Sequence, residues 1–354
     1  MGWRTALAAA WRWRGEGADR PAMLAAGAGM ALPTLLGALA GQLPLGLAVA
    51  LGGLLAGSAR TTGSFRDQAR GLVLLFAAVA CAAAAAVLVA GHGGWTDLSI
   101  VLLAGFAALL GGYSLPLAVA TGRFLPFFAI ALGLVEAEGD RLGLAALLVA
   151  GALWTSLLAL ALGSLFRALG WQPAAALREG ASASAARQLR RWSASLKSLA
   201  GWQFALRLMP CLALAGLLRA LFPEHHLLWI AITVALLCQR QPGRPSERTL
   251  QRAVGAALGV AATGLLLGRL LPGWALASLV ALLAGLGPWL RAQSYLAYTA
   301  GMTPLVLLLL GRGQPVEAGP LADRLLATLI GAALVAAADA TLARLLEGRS
   351  RGHP

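Results

Sequence analysis

Charge is scarce in this chain, and lysine is nearly missing. Only 12% of the 354 residues are Asp, Glu, Lys or Arg, and Lys197 stands against a large excess of arginine. Soluble globular domains carry about 25% charged residues, so a water-soluble fold is excluded by what is absent. Cysteine is equally thin: Cys81, Cys211 and Cys238 show neither metal-ligand spacing nor a disulfide framework, so no structural zinc site is expected. No Walker loop occurs, and pumping would draw on a gradient or a partner and not on bound nucleotide. Residues 1–20 lack the apolar core and small-residue cleavage site of a signal peptide. The only extended polar stretch, Trp171 to Ser198, is too short for a soluble domain. Arginine bias of this kind points to a GC-rich bacterial source.

What remains is apolar. The chain is 59% hydrophobic, with a mean hydropathy of +0.77. Uncharged runs such as Gly71 to Gly91, Leu142 to Phe166 and Ala253 to Gly268 approach or cross about 30 Å of hydrocarbon at about 1.5 Å per helical residue. Lipid offers no partner to an unpaired backbone N–H or C=O, so such segments must be helical. The expected fold is all-α, a polytopic transmembrane bundle of about twelve spans.

Six spans are expected near Ala22–Ala40, Leu43–Ser58, Gly71–Ala90, Leu98–Gly112, Leu115–Leu134 and Leu142–Leu165. Six more lie near Phe204–Leu221, Leu227–Cys238, Ala253–Leu271, Trp274–Leu290, Tyr295–Leu310 and Leu325–Leu346. The two sets share landmarks in the same order: mid-helix Pro33 and Pro210, turn prolines Pro44 and Pro223, and the Arg-x-x-x-Arg pairs Arg66/Arg70 and Arg248/Arg252. Gly94-Trp95 and Gly273-Trp274 follow, then Leu-Leu-Ala-Gly runs ending at Gly105 and Gly285, then Tyr113 and Tyr295, and finally Asp140-Arg141 and Asp323-Arg324. So many matches in register indicate a duplication. An even number of spans per copy makes the two six-helix repeats parallel. The organisation reads as an N-terminal cytoplasmic or interfacial arm over 1–20, a first repeat over 21–170, a cytoplasmic linker over 171–200, a second repeat over 201–346 and a cytoplasmic tail over 347–354. Trp3, Leu7 and Trp11 fall at helical spacing, as in an interfacial amphipathic arm.

Basic residues collect on the cytoplasmic side of short loops. Arg4, Arg12, Arg14 and Arg20 lie in the arm, Arg60, Arg66 and Arg70 after the second span, and Arg187, Arg190, Arg191 and Lys197 in the linker. Arg240, Arg244, Arg248 and Arg252 follow the eighth span, and Arg344, Arg349 and Arg351 close the chain. The opposite loops mix Arg141, Arg219 and Arg324 with Glu136, Asp140, Glu224 and Asp323. Both termini are therefore expected in the cytoplasm of a bacterial cell, with the chain in its inner membrane. The net charge of +14 fits contact with anionic headgroups and not a nucleic-acid site.

The segments Ala205-Leu206-Arg207, Pro223 to Trp229, Gln241 to Arg244 and Arg248 to Gly259 resemble the membrane module of the fusaric acid resistance and aromatic acid exporter family. The second half carries the resemblance, and the first looks like a diverged copy. The resemblance implies an inner-membrane helical unit, export of aromatic carboxylic acids and a periplasmic adaptor protein as partner.

Among individual residues, Arg66, Arg70, Arg248 and Arg252 are candidates for a cytoplasmic anion entrance, since paired guanidinium groups capture carboxylates in bidentate fashion. Lipid phosphate binding or positive-inside anchoring explains them equally. Arg123 and Arg207 sit inside spans, where a cation needs a counter-ion, water or a substrate, and they are substrate-binding candidates with Tyr113, Tyr295 and Tyr298. The tyrosines also suit an interfacial aromatic belt. Asp339, in an apolar run, is a proton-carrier candidate that also suits a pair with Arg344. Gly255 and Gly259 form a small-xxx-small face for close helix approach. Pro33, Pro126, Pro210 and Pro304 interrupt helices and free backbone groups. No cofactor is expected. The leading reading is an exporter of small organic anions, with membrane lipids, an adaptor and a second copy of the chain as compatible partners. A non-transporting scaffold or regulatory subunit is the alternative, and a lipid-modifying enzyme using His225 and His226 the remote one. No aspartate stands at helical spacing from those histidines, and the chain is not expected to be an enzyme.

Overall fold

The computed structural model describes residues 13–15, 17–56, 64–137, 139–171, 185–238, 245–267, 271–311, 314 and 318–351. Side chains at 55–56, 185, 200, 245–248, 266–267, 318, 343 and 345–351 fall outside that description. Trp3, Leu7 and Trp11 of the arm, Arg240, Arg244 and the Arg248 side chain thus lie outside the described residues.

Thirteen helices occur among these residues and no strands. They are α1 (Arg20–Leu39), α2 (Leu43–Ala56), α3 (Phe65–Val89), α4 (Gly94–Leu110), α5 (Leu115–Ala137), α6 (Arg141–Ala168), α7 (Ala185–Leu196), α8 (Leu199–Leu221), α9 (Leu228–Leu237), α10 (Pro245–Leu267), α11 (Gly273–Gln293), α12 (Tyr295–Leu310) and α13 (Ala318–Arg351). Short polar residues set the starts. The Asp19 carboxylate accepts from Ala22 N at 3.2 Å ahead of α1, Asp140 accepts from Gly143 N at 2.9 Å ahead of α6, and Ser64 and Ser294 cap α3 and α12. Pro21 at the head of α1 needs no N–H partner there.

Each expected span coincides with a helix, and α7 falls in the expected linker. Seven helices (α1, α3, α5, α6, α8, α11 and α13) are long and apolar enough to cross a membrane, while α2, α4, α9 and α12 are apolar but shorter. Helix α9 is the shortest, at 10 residues, about 15 Å of rise. It survives because protein encloses it: α9 packs on α5, α8, α13 and, more lightly, α10, burying Ile230, Ala231, Ile232, Thr233, Val234 and Leu237.

Helix contacts come in matched pairs. Helix α1 packs on α11 as α8 packs on α4; α2 on α6 as α9 on α13; α3 on α5 as α10 on α12; α3 on α6 as α10 on α13; and α2 on α12 as α9 on α5. The first and last of these cross between the halves of the chain.

Glycine decides how closely the helices approach, since packing rather than hydrophobicity drives association in lipid. A Cβ on Gly27 of α1 would stand 3.0 Å from the Ala281 carbonyl oxygen of α11. On α10 the expected small-residue face is in use: a Cβ on Gly255 would stand 2.7 Å from the Leu296 carbonyl oxygen, and one on Gly259 2.8 Å from that of Ala300. Pro33 leaves the Gly29 carbonyl of α1 without its helical donor. The Thr155 hydroxyl of α6 donates to it at 3.4 Å.

Where α2 meets α6 the contact is backbone on backbone. A Cβ on Gly151 would run into the Val49 carbonyl, which cannot swing aside as a side chain would. Gly151→Ala should therefore destabilise the protein by about 1–3 kcal/mol. Gly264→Ala, whose Cβ would sit 3.6 Å from Leu321 Cδ1, should change the melting temperature little. Thermal melts of both variants in one detergent check the contrast.

Candidate functional site

A cavity of about 820 Å³ opens where α4, α8 and α9 meet the ends of α5 and α12. Its walls are mostly apolar, with Ala129, Ile130, Gly133, Leu134, Ile232 and Leu307, and its polar groups converge at one end: Asp97, Glu136, Arg219, His225, His226 and Trp229. An apolar chamber of this size with a few convergent polar groups suits a small organic ligand.

Arg219 ties the mouth together. It sits in the last turn of α8, with Nε 3.2 Å from Asp97 Oδ1 in the first turn of α4 and Nη1 3.2 Å from Glu136 Oε2 near the end of α5. An acid at a helix N-terminus and a base at a helix C-terminus both suit the helix dipoles. Beside it, Asp323 of α13 collects the two histidines of the α8–α9 turn. His225 Nδ1 lies 2.8 Å from Oδ1, His226 Nδ1 lies 3.0 Å from Oδ2, and the His226 backbone N–H donates to Oδ2 at 3.0 Å. The aspartate that local spacing did not supply thus arrives from 97 residues away. The next residue, Arg324, is 4% exposed and lies over the Trp229 ring at 3.8 Å from the centroid.

Toward the opposite ends of the helices, Arg207 and Asp339 are partners. Arg207 Nη1 lies 2.7 Å from Asp339 Oδ1, joining α8 to α13, with the Arg207 side chain 5% exposed. Two residues singled out separately in the sequence form one ion pair, and Arg344, the other partner considered for Asp339, is exposed. Arg123 is half-buried in α5. Tyr295 tilts against Tyr298 with ring centroids 6.4 Å apart. Tyr113 stands apart from these tyrosines, edge-on to Trp192 of α7 at 6.1 Å, while the Trp192 indole N–H donates to the Leu109 carbonyl at 2.9 Å. Arg66 and Arg70 are exposed at the start of α3, whereas Arg252, expected at the same kind of entrance, is buried.

Asp97, Glu136, Arg219, Asp323, Trp229 and Arg324 were missed as site residues. The repeated Asp-Arg dipeptide was the available signal. Asp140 caps α6 and Arg141 donates to the Ala90 carbonyl at 2.9 Å, but its counterpart, Asp323-Arg324, lies inside α13, where neither role is open.

Asp339→Asn should leave the Arg207 guanidinium without its carboxylate at low exposure. Removing one member of a buried pair costs about 3–5 kcal/mol. The double variant Arg207→Gln/Asp339→Asn should recover much of that loss, and a thermal double-mutant cycle in nanodiscs reads both.

Residues 212–338 match the family model described as fusaric acid resistance protein-like. No curated protein and no solved structure matches the chain. The match runs from α8 through α13 and takes in Arg219, the histidine turn, Trp229, Arg252 and Asp323-Arg324. With its apolar helices the chain is a multi-pass membrane protein, and about the last third of it is similar to the fusaric acid resistance protein-like family.

Proposed function

We propose that the chain exports small organic anions, aromatic carboxylic acids foremost, across the bacterial inner membrane, by alternating access between two like-oriented six-helix halves with both termini in the cytoplasm. The observation that carries this reading is that the family match, over 212–338, takes in the part of the cavity wall from Arg219 to Ile232 and the helices that carry Arg252 and Arg324 into the interior. The matched helix pairs support two related halves, because each packing in one has a counterpart in the other under the register read from the sequence. Arginine-rich helix ends and the Trp192-anchored α7 mark one face, and the cavity mouth with Asp97, Glu136 and Asp323 lies on the other. By the positive-inside bias the mouth faces the periplasm, where an adaptor protein would meet it. Membrane lipids surround the bundle, and a second copy of the chain is compatible with its exposed apolar faces.

The non-transporting scaffold reading separates from this one by flux. Cells expressing the chain in a strain lacking it should accumulate several-fold less radiolabelled benzoate than the deletion strain. Collapsing the proton gradient should abolish the difference, since the sequence carries no nucleotide-binding loop. Equal accumulation with and without the chain, for benzoate and for hydroxylated and heteroaromatic acids, would remove the export reading.

A further inference from the structure

Of the buried charged side chains among the described residues, Arg207 and Asp323 have a partner of opposite sign at hand and two have none. Arg252 of α10 and Arg324 of α13 are 5% and 4% exposed, and no carboxylate among the described residues lies within ion-pair distance of either. Nε and Nη1 of Arg324 and Nε of Arg252 are buried without a hydrogen-bond partner. The two arginines lie on helices that pack against each other, α10 and α13, so like charges face one interior. Asp323, the nearest acid in sequence, is already engaged by His225 and His226. A cation in a membrane interior is expensive unless something neutralises it, and two facing one interior double the demand.

The surroundings say what kind of group would meet it. Trp229 lines the cavity and carries Arg324 on its ring, so this one indole separates the cavity from the guanidinium. One turn further along α9, Thr233 is fully buried with its hydroxyl unpartnered. The first half repeats none of this. Its counterparts to Arg252 and Arg324 are Arg70 and Arg141, both exposed.

We propose that Arg252 and Arg324 form an intramembrane oxyanion subsite that takes the carboxylate of an aromatic acid, whose ring lies in the cavity beside Trp229. The proposal rests on the export reading and deepens it by naming where the anion stops. One carboxylate held there offers acceptors to the orphaned N–H groups and a counter-charge to the two arginines. Its phosphate analogue, a lipid headgroup, shares the oxyanion chemistry, and the experiment separates the two.

The full-length protein in nanodiscs is titrated with radiolabelled benzoate and, in parallel, with neutral benzamide, and the same preparations are examined by native mass spectrometry for retained phospholipid. Benzoate should bind and raise the melting temperature, and benzamide should do neither. Arg252→Gln and Arg324→Gln should each weaken benzoate binding at least tenfold and leave the unliganded protein as stable as wild type or more so, because an unneutralised buried charge has been removed. Arg324→Lys, which keeps the charge but loses the planar fork, should retain part of the binding. Arg141→Gln, the first-half counterpart, should bind normally.

Unchanged benzoate affinity in Arg252→Gln and Arg324→Gln, with benzoate flux in proteoliposomes intact, would overturn the subsite and leave the export reading standing. Loss of all flux and binding in the wild type would sink both. Retained phospholipid that disappears in the double variant, with no benzoate binding in wild type, would assign the pair to lipid and overturn the carboxylate proposal. A drop in melting temperature in both glutamine variants without ligand would make the arginines structural.

Discussion

Lipid cannot hydrate a guanidinium, and the interior of this bundle is arranged around that constraint. Arg207 crosses from α8 to meet Asp339 on α13, and Arg219 at the far end of α8 meets both Asp97 and Glu136. One helix therefore carries an ion pair near each end, and each pair reaches a different neighbour. Helix α8 is pinned to α4 and α5, which come from the first half, at one end and to α13 at the other. These contacts are costly to form from water, but inside a bundle they fix which helices can be adjacent. Breaking one partner is far worse than never having had either.

Close backbone approach is the second constraint, and it works with the first. The α2–α6 and α10–α12 contacts are tight enough that a single methyl group on Gly151 or Gly259 would meet backbone on the neighbouring helix. One set of charged groups, Arg219 with Asp97 and Glu136, gathers instead at the cavity between α4, α5, α8 and α9. The short α9 belongs to this arrangement. Ten residues cannot cross a bilayer alone, yet the helix is enclosed by protein, and the cavity mouth with its histidine turn lies at its first end.

The helices themselves were legible in the sequence because the membrane demands long uncharged runs and those runs are local. The α10 glycine face was legible for the same reason, as Gly255 and Gly259 are neighbours on one helix. The ion pairs were not. Arg207 and Asp339 each stood out as a charge inside a span, but 132 residues separate them and nothing local announces the partnership. The histidine pair looked idle because its aspartate was sought within one helical turn, whereas Asp323 arrives from α13. Arg252 was read as a surface cation by its place in a basic loop, and its burial follows from the packing of α10 against α12 and α13, a tertiary fact. Arg324 was seen as a mark of duplication and as a loop charge.

On the export reading, the difference between the two Asp-Arg dipeptides bears on direction. In the first half the pair does ordinary structural service, capping α6 and holding the end of α3 through the Ala90 carbonyl. In the second, the aspartate is drawn to the histidine turn and the arginine is left buried against Trp229. Positive charge without a carboxylate at hand among the described residues stays at Arg252 and Arg324, while Asp97, Glu136 and Asp323 stand with Arg219 and the two histidines around the cavity mouth. An anion attracted to the buried arginines gains nothing comparable at the mouth while the histidines are neutral, because three carboxylates there repel it. On the export reading, that ordering favours release over recapture. The second dipeptide contributes Asp323 to the acidic mouth and Arg324 to the cationic interior.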